Sequence, residues 1–255
     1  MVRELALRLS YDGSAYHGWQ RQKGLPTVQE TLETALTRLT KAETHAIGCG
    51  RTDAGVHARK YCAAFRTECA IPADKLPLAL NALLPPDMAV QAACEEESGF
   101  HPVFSCRKKE YTYYLRSGNI RDPFERERVW FRPGELELEP MRLAAAQFLG
   151  THDFAAVRSV GTNVKTTVRT VYDFDVTQEG SLFSFRICAS GFLYNMARAM
   201  VGTVLYAALG KLRPEEIPAI LEAGDRCLAG PTVPPQGLYM TGVWYDGPAG
   251  RMMRE

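Results

Sequence analysis

Between two apolar runs lies Gly48-Cys49-Gly50-Arg51-Thr52-Asp53-Ala54-Gly55-Val56-His57-Ala58-Arg59, where an arginine, an aspartate and a histidine are crowded among three glycines. Glycine permits tight turns and lets another molecule approach the backbone closely, so this is the composition of a site. Asp53 is the one carboxylate between Glu43 and Glu68. A charged carboxylate with arginine beside it can serve as a nucleophile or a base without a metal. The same Thr-Asp-Ala-Gly succession also fits an ordinary Asx-type turn that joins two strands.

Two further places carry chemistry. Tyr111, Tyr113 and Tyr114 follow Arg107, Lys108 and Lys109. An aromatic ring beside cations is how proteins hold extruded or single-stranded bases, although tyrosines also pack sheets. Arg198 stands among Ala, Met, Val and Leu on a helical stretch; it needs a carboxylate partner if buried, or snorkels to the surface if not.

Other chemistries lose ground. Phosphate-loop and dinucleotide fingerprints are absent, as is Gly-x-Ser-x-Gly. Seven scattered cysteines contain no Cys-x-x-Cys pair, and the five histidines have no zinc-ligand spacing, so no disulfide framework and no metal is expected. No apolar run approaches the ~20 residues of a membrane span, and the first residues enter a strand pattern directly, so a cytoplasmic protein is expected. The net charge of +1 hides segregation: residues 100 to 132 carry eight basic against four acidic groups, just downstream of Glu95, Glu96 and Glu97. A solvated strand face and a basic groove for a phosphate backbone both fit that bias.

The positioning elements read as follows. Leu5, Leu7 and Leu9 alternate as a strand, and Asp12-Gly13 turns the chain. Thr27 with Glu30 resembles a capping box opening a helix over 28–40. Strands near 45–47 and 60–66 flank the Asp53 loop, a helix over 74–84 stops at Pro85-Pro86, and a strand covers 88–94. This is the split β-α-β order of ferredoxin-like and RNA-recognition folds. The second half repeats the pattern: strands at 110–116 and 129–131, a helix over 141–149 stopped by Gly150, a hairpin of 168–176 and 182–188, helices over 192–209 and 214–223, and a strand at 238–244. The class expected is α+β, with a mixed or mainly antiparallel sheet and helices on one face.

Taken together, Tyr11-Asp12-Gly13, Gly18-Trp19-Gln20-Arg21-Gln22, Val28-Gln29 and the block Gly50-Arg51-Thr52-Asp53-Ala54-Gly55-Val56-His57-Ala58 resemble the tRNA pseudouridine synthase A family, in order. So do Asn81-Ala82-Leu83-Leu84-Pro85, Phe100-His101, Phe104-Ser105, Glu110-Tyr111-Thr112-Tyr113, Phe192-Leu193 with Met196, Arg198 and Val201-Gly202, and Gly237-Leu238-Tyr239. The resemblance implies isomerisation of uridine to pseudouridine in the anticodon stem-loop of tRNA, without a cofactor. It implies Asp53 as the catalytic carboxylate, Arg51 as the residue that helps displace the base, Tyr111 as the ring stacked on the flipped uracil, Arg198 as the partner of Asp53, and Leu238 as part of the apolar wall. It also implies a homodimer. The corresponding architecture has two ferredoxin-like halves, 1–104 and 105–255, whose mainly antiparallel sheets join into one large mixed sheet around a central basic cleft. One departure is Pro102-Val103, where the family commonly has Ala-Arg, so Arg107 is a candidate to replace that cation. A non-catalytic RNA-binding protein and an N-glycosidic hydrolase are the alternatives; the second would want another carboxylate beside Asp53.

Overall fold

The computed structural model describes residues 2–161 and 164–254. The chain divides into two compact units, Met1–Lys108 with Tyr239–Glu255, and Lys109–Leu238.

The first unit opens with β1 (Arg3–Tyr11), α1 (Val28–Thr40), β2 (Ala46–Gly48), β3 (His57–Thr67), α2 (Leu76–Asn81) and β4 (Met88–Glu96). β1 lies between β3 and β4, and β2 pairs with β3, all antiparallel. This is the split β-α-β arrangement expected from the element order. The helix α1 begins where the Thr27 hydroxyl accepts the Glu30 amide, and it buries Val28, Leu32, Ala35 and Leu36. Its buried Glu33 accepts the Ala46 amide at 3.0 Å, which fixes β2 against the helix. The expected helix over 74–84 is shorter: a 3-10 turn at Ala73–Lys75 leads into α2, which ends at Asn81. There the Asn81 side chain bonds both the amide and the carbonyl of Val90, at 2.8 and 2.9 Å, so helix geometry yields to β4 before the prolines are reached.

The second unit contains β5 (Lys108–Gly118), β6 (Trp130–Pro133), α3 (Leu138–Ala146), β7 (Gly150–Asp153), β8 (Val168–Glu179), β9 (Leu182–Ala189), α4 (Met196–Ala208) and α5 (Ile217–Ala223). β5, β9, β8 and β7 follow one another in an antiparallel sheet, and β6 adds to β5 in parallel. Tyr113, Leu115, Phe183, Phe185 and Ile187 form its buried face with Met141 and Phe148. Gly150, expected only as a helix stop, has φ 102° and opens β7.

The chain then returns to the first unit. β10 (Leu238–Trp244) runs parallel to β3, with Tyr239 opposite His57, and α6 (Gly247–Arg254) closes the chain. Residues 239–255, expected within a second half spanning 105–255, instead pack with the first unit. Side chains alternate across β1, and α6 covers the face that carries Arg8. The Arg8 guanidinium donates to the Met252 carbonyl at 2.6 Å and Lys60 donates to that of Met253 at 3.1 Å. Among the described residues the strand pairs are mainly antiparallel, with β3–β10 and β5–β6 parallel, which makes this an α+β chain with mixed sheets. Among the described residues no helix is long and apolar enough to cross a membrane.

Candidate active site

The loop joining β2 to β3 carries Arg51 and Asp53, the first exposed and the second half-buried. Its path is set by the segment after β1. On entry, the Cys49 amide donates to Cys62 at 2.8 Å and the Tyr61 phenol donates to the Gly50 carbonyl. Tyr61 is fully buried and stacks on Trp19, with ring centroids 4.4 Å apart. At the centre, the Trp19 amide donates to the Thr52 carbonyl at 3.1 Å, while the Thr52 hydroxyl meets the buried Tyr11 phenol at 2.9 Å. Burial pushes that phenol well above its ordinary pKa, so it keeps its proton.

Asp53 itself opens a tight turn, in which the Val56 amide donates back to the Asp53 carbonyl at 3.1 Å. The Gly55 amide donates to the Tyr16 carbonyl at 3.2 Å. Two glycines make this docking possible. Gly18 has φ +84° and a Cβ there would lie 2.4 Å from the Thr52 carbonyl oxygen; a Cβ on Gly13 would lie 2.0 Å from that of Val56. Backbone therefore meets backbone where any larger residue would separate the segments.

At the exit of the turn stands His57, buried at the start of β3. Its Nδ1 accepts the Gly13 amide at 3.0 Å and lies 3.1 Å from Asp12 Oδ1. Nδ1 thus faces a backbone amide and a carboxylate oxygen at once. Asp12 Oδ1 in turn accepts the amide and hydroxyl of Ser14 at 3.0 and 2.6 Å. The imidazole stacks on Tyr239 of β10, centroids 4.5 Å apart, and the Arg59 guanidinium lies 5.3 Å from the same tyrosine ring. Neither Asp12 nor the Gly13 contact of His57 was legible as part of the site, because the partners are 44 residues apart.

The other three expected residues belong to the second unit. Tyr111 lies buried on β5, its ring edge-on to Phe192 with centroids 4.8 Å apart. Arg198 is half-buried on the first turn of α4. Its Nε donates to the Val233 carbonyl at 2.7 Å and its Nη1 to Asn195 Oδ1 at 2.9 Å. The helix expected from 192 starts only at Met196 because Asn195 adopts the left-handed conformation, φ 60°, and its amide side chain bridges Arg198 and Ser159. Short polar side chains tolerate that conformation better than most. Tyr113, next but one to Tyr111 and on the same face of β5, donates to the Pro234 carbonyl at 2.8 Å. Burial raises its phenol pKa, with the Arg198 charge opposing the rise. The 233–237 stretch thus links Arg198 to β5 and leads directly into Leu238, which is buried. Arg107, the candidate replacement for a cation at 103, is paired with Asp246, Nε to Oδ2 at 2.8 Å.

Chemically, the first unit offers a half-buried carboxylate on a backbone-locked turn with an exposed guanidinium two residues away. The second offers a buried aromatic ring and an arginine held at its fork by a carbonyl and an amide oxygen.

A family model described as tRNA pseudouridine synthase matches residues 9–105 and 144–246. These segments contain Arg51, Asp53, Arg198 and Leu238, and Tyr111 falls between them. The tRNA pseudouridine synthase A of Thermoanaerobacter sp. (strain X514) is 43% identical over 244 residues, covering 96% of this chain and 100% of that protein. The protein of the same name from Bacillus subtilis (strain 168) is 44% identical over 244 residues, covering 95% and 99%.

Proposed function

The chain belongs to the tRNA pseudouridine synthase family, and from that premise we propose that it isomerises uridine to pseudouridine in the anticodon stem-loop of tRNA. The bond from the ribose C1′ to uracil N1 breaks, the uracil turns, a bond from C1′ to C5 forms, and the C5 proton is replaced at N1. Atoms and electrons balance within the nucleotide, so no cofactor enters.

The observation that carries this reading is the seating of Asp53. Its turn is fixed at Thr52, Gly55 and Val56 by backbone hydrogen bonds, so the carboxylate is carried on a rigid backbone, and preorganised charge is what a charged transition state uses. Asp53 is the catalytic carboxylate. Arg51, exposed on the same loop, takes the place of the flipped base and offsets the few kcal/mol that unstacking costs, roughly. Tyr111 stacks on the uracil, Arg198 serves as the arginine partner that the family resemblance assigns to Asp53, and Leu238 lends apolar wall. We further propose a homodimer working in the cytoplasm.

Incubation with an unmodified tRNA transcript tests the reaction. Pseudouridine in the anticodon stem-loop is the expected product. Release of free uracil would point to glycosidic hydrolysis, and salt-sensitive binding with no modified base would reduce the protein to an RNA-binding module. For the dimer, a mass measurement that finds an active monomer would overturn it.

A further inference from the structure

His57 joins the two segments that make the Asp53 turn, yet the isomerisation as proposed gives it no task. It is buried, it follows Asp53 by four residues, and its Nδ1 takes the amide of Gly13 at 3.0 Å. Gly13 is the residue packed against the Val56 carbonyl so closely that a Cβ would lie 2.0 Å from its oxygen. Val56 in turn closes the tight turn on the Asp53 carbonyl at 3.1 Å. A continuous line of contacts therefore runs from the imidazole through Gly13 and Val56 to Asp53. The other face of that line is the Tyr239 ring, which lies parallel to the imidazole within 18° and fixes its plane.

We propose that His57 is a positioning residue of the reaction, whose Nδ1 lone pair anchors Gly13 and thereby sets the placement of the Asp53 carboxylate. This inference rests on Asp53 being the catalytic group. What the anchor needs is an acceptor for the Gly13 amide at the Nδ1 position, where Asp12 Oδ1 also lies 3.1 Å away. Without it the buried Gly13 amide loses its partner, the segment after β1 shifts, and Asp53 is displaced while the surfaces that meet RNA are kept. A displacement of 1 Å at a reacting group costs on the order of a hundredfold in rate.

The side-chain oxygen of asparagine can occupy the place of Nδ1, whereas that of glutamine falls nearer the place of Nε2. Steady-state kinetics on a tRNA transcript should therefore rank the variants. His57→Gln and His57→Leu lose roughly tenfold to a hundredfold in kcat, with KM for tRNA changed about twofold or less. His57→Asn recovers most of that loss. Thermal midpoints are measured on the same preparations; should His57→Leu fail to fold, the Asn and Gln variants decide alone. Equal kcat for Asn and Gln, or a defect confined to KM, overturns the inference. Asp53→Asn is assayed in parallel: if it is inactive while His57→Gln turns over normally, the positioning role falls by itself, and if it is active, both that role and the assignment of Asp53 fall.

Discussion

The phenol of Tyr11 and the hydroxyl of Thr52 meet at 2.9 Å inside the first unit, one residue from Asp53. Tyr11→Phe would leave the Thr52 hydroxyl buried with its partner removed, a loss of about 1 to 3 kcal/mol. Urea denaturation should show that loss, and kcat should fall more than KM rises. Because burial keeps the phenol protonated, the defect should be the same throughout the neutral pH range.

Gly18 is a backbone seat of the Asp53 loop that combines a close approach with a left-handed φ. Gly18→Ala combines a left-handed backbone, φ +84°, with a Cβ placed 2.4 Å from the Thr52 carbonyl oxygen. The conformational and overpacking costs together come to about 2 to 4 kcal/mol. A lowered thermal midpoint is expected, with turnover lost even at temperatures where the variant is folded.

Arg198 donates through Nε to Val233 and through Nη1 to Asn195, a forked geometry that lysine cannot reproduce. Arg198→Lys should therefore reduce kcat by roughly a hundredfold while tRNA affinity, measured by filter binding, changes about threefold or less. Unchanged turnover would remove Arg198 from the reaction.

Glu96 accepts the Ala249 amide at the start of α6. Desolvation raises its pKa above the ordinary 4.5, although that hydrogen bond opposes the rise. The folded state thus binds this proton more tightly than the unfolded chain does. Stability contributed by the protonated carboxyl is full below 4.5 and declines as pH rises toward the folded pKa. Glu96→Gln keeps the acceptor and removes the titration. Its denaturation midpoint should match that of the parent in acid and exceed it at neutral pH; equal midpoints at neutral pH would contradict this.

What could be read from the sequence was whatever local pattern controls. The helix α1 begins and ends where its Thr27 cap and apolar spacing place it. By contrast, α6 contains two glycines and a proline and was not among the elements expected. It is helical because Met252 and Met253 are buried and their carbonyls are taken by Arg8 and Lys60 from strands remote in sequence, a tertiary override of weak propensity. The delayed start of α4 has the same origin: the Asn195 side chain spans Ser159 and Arg198. At the candidate site, Asp53 stood out by composition, but its role came only from the resemblance of the whole motif set. His57 looked like one more polar residue of that motif, since its Gly13 bond exists only once β1 and β3 are paired.

Asp53→Asn tests the central claim most directly. The variant keeps the shape of the side chain and the backbone bonds of its turn, and should bind an unmodified tRNA transcript about as tightly as the parent while forming no pseudouridine. Pseudouridine appearing in that transcript at a rate near the parent's would contradict the account.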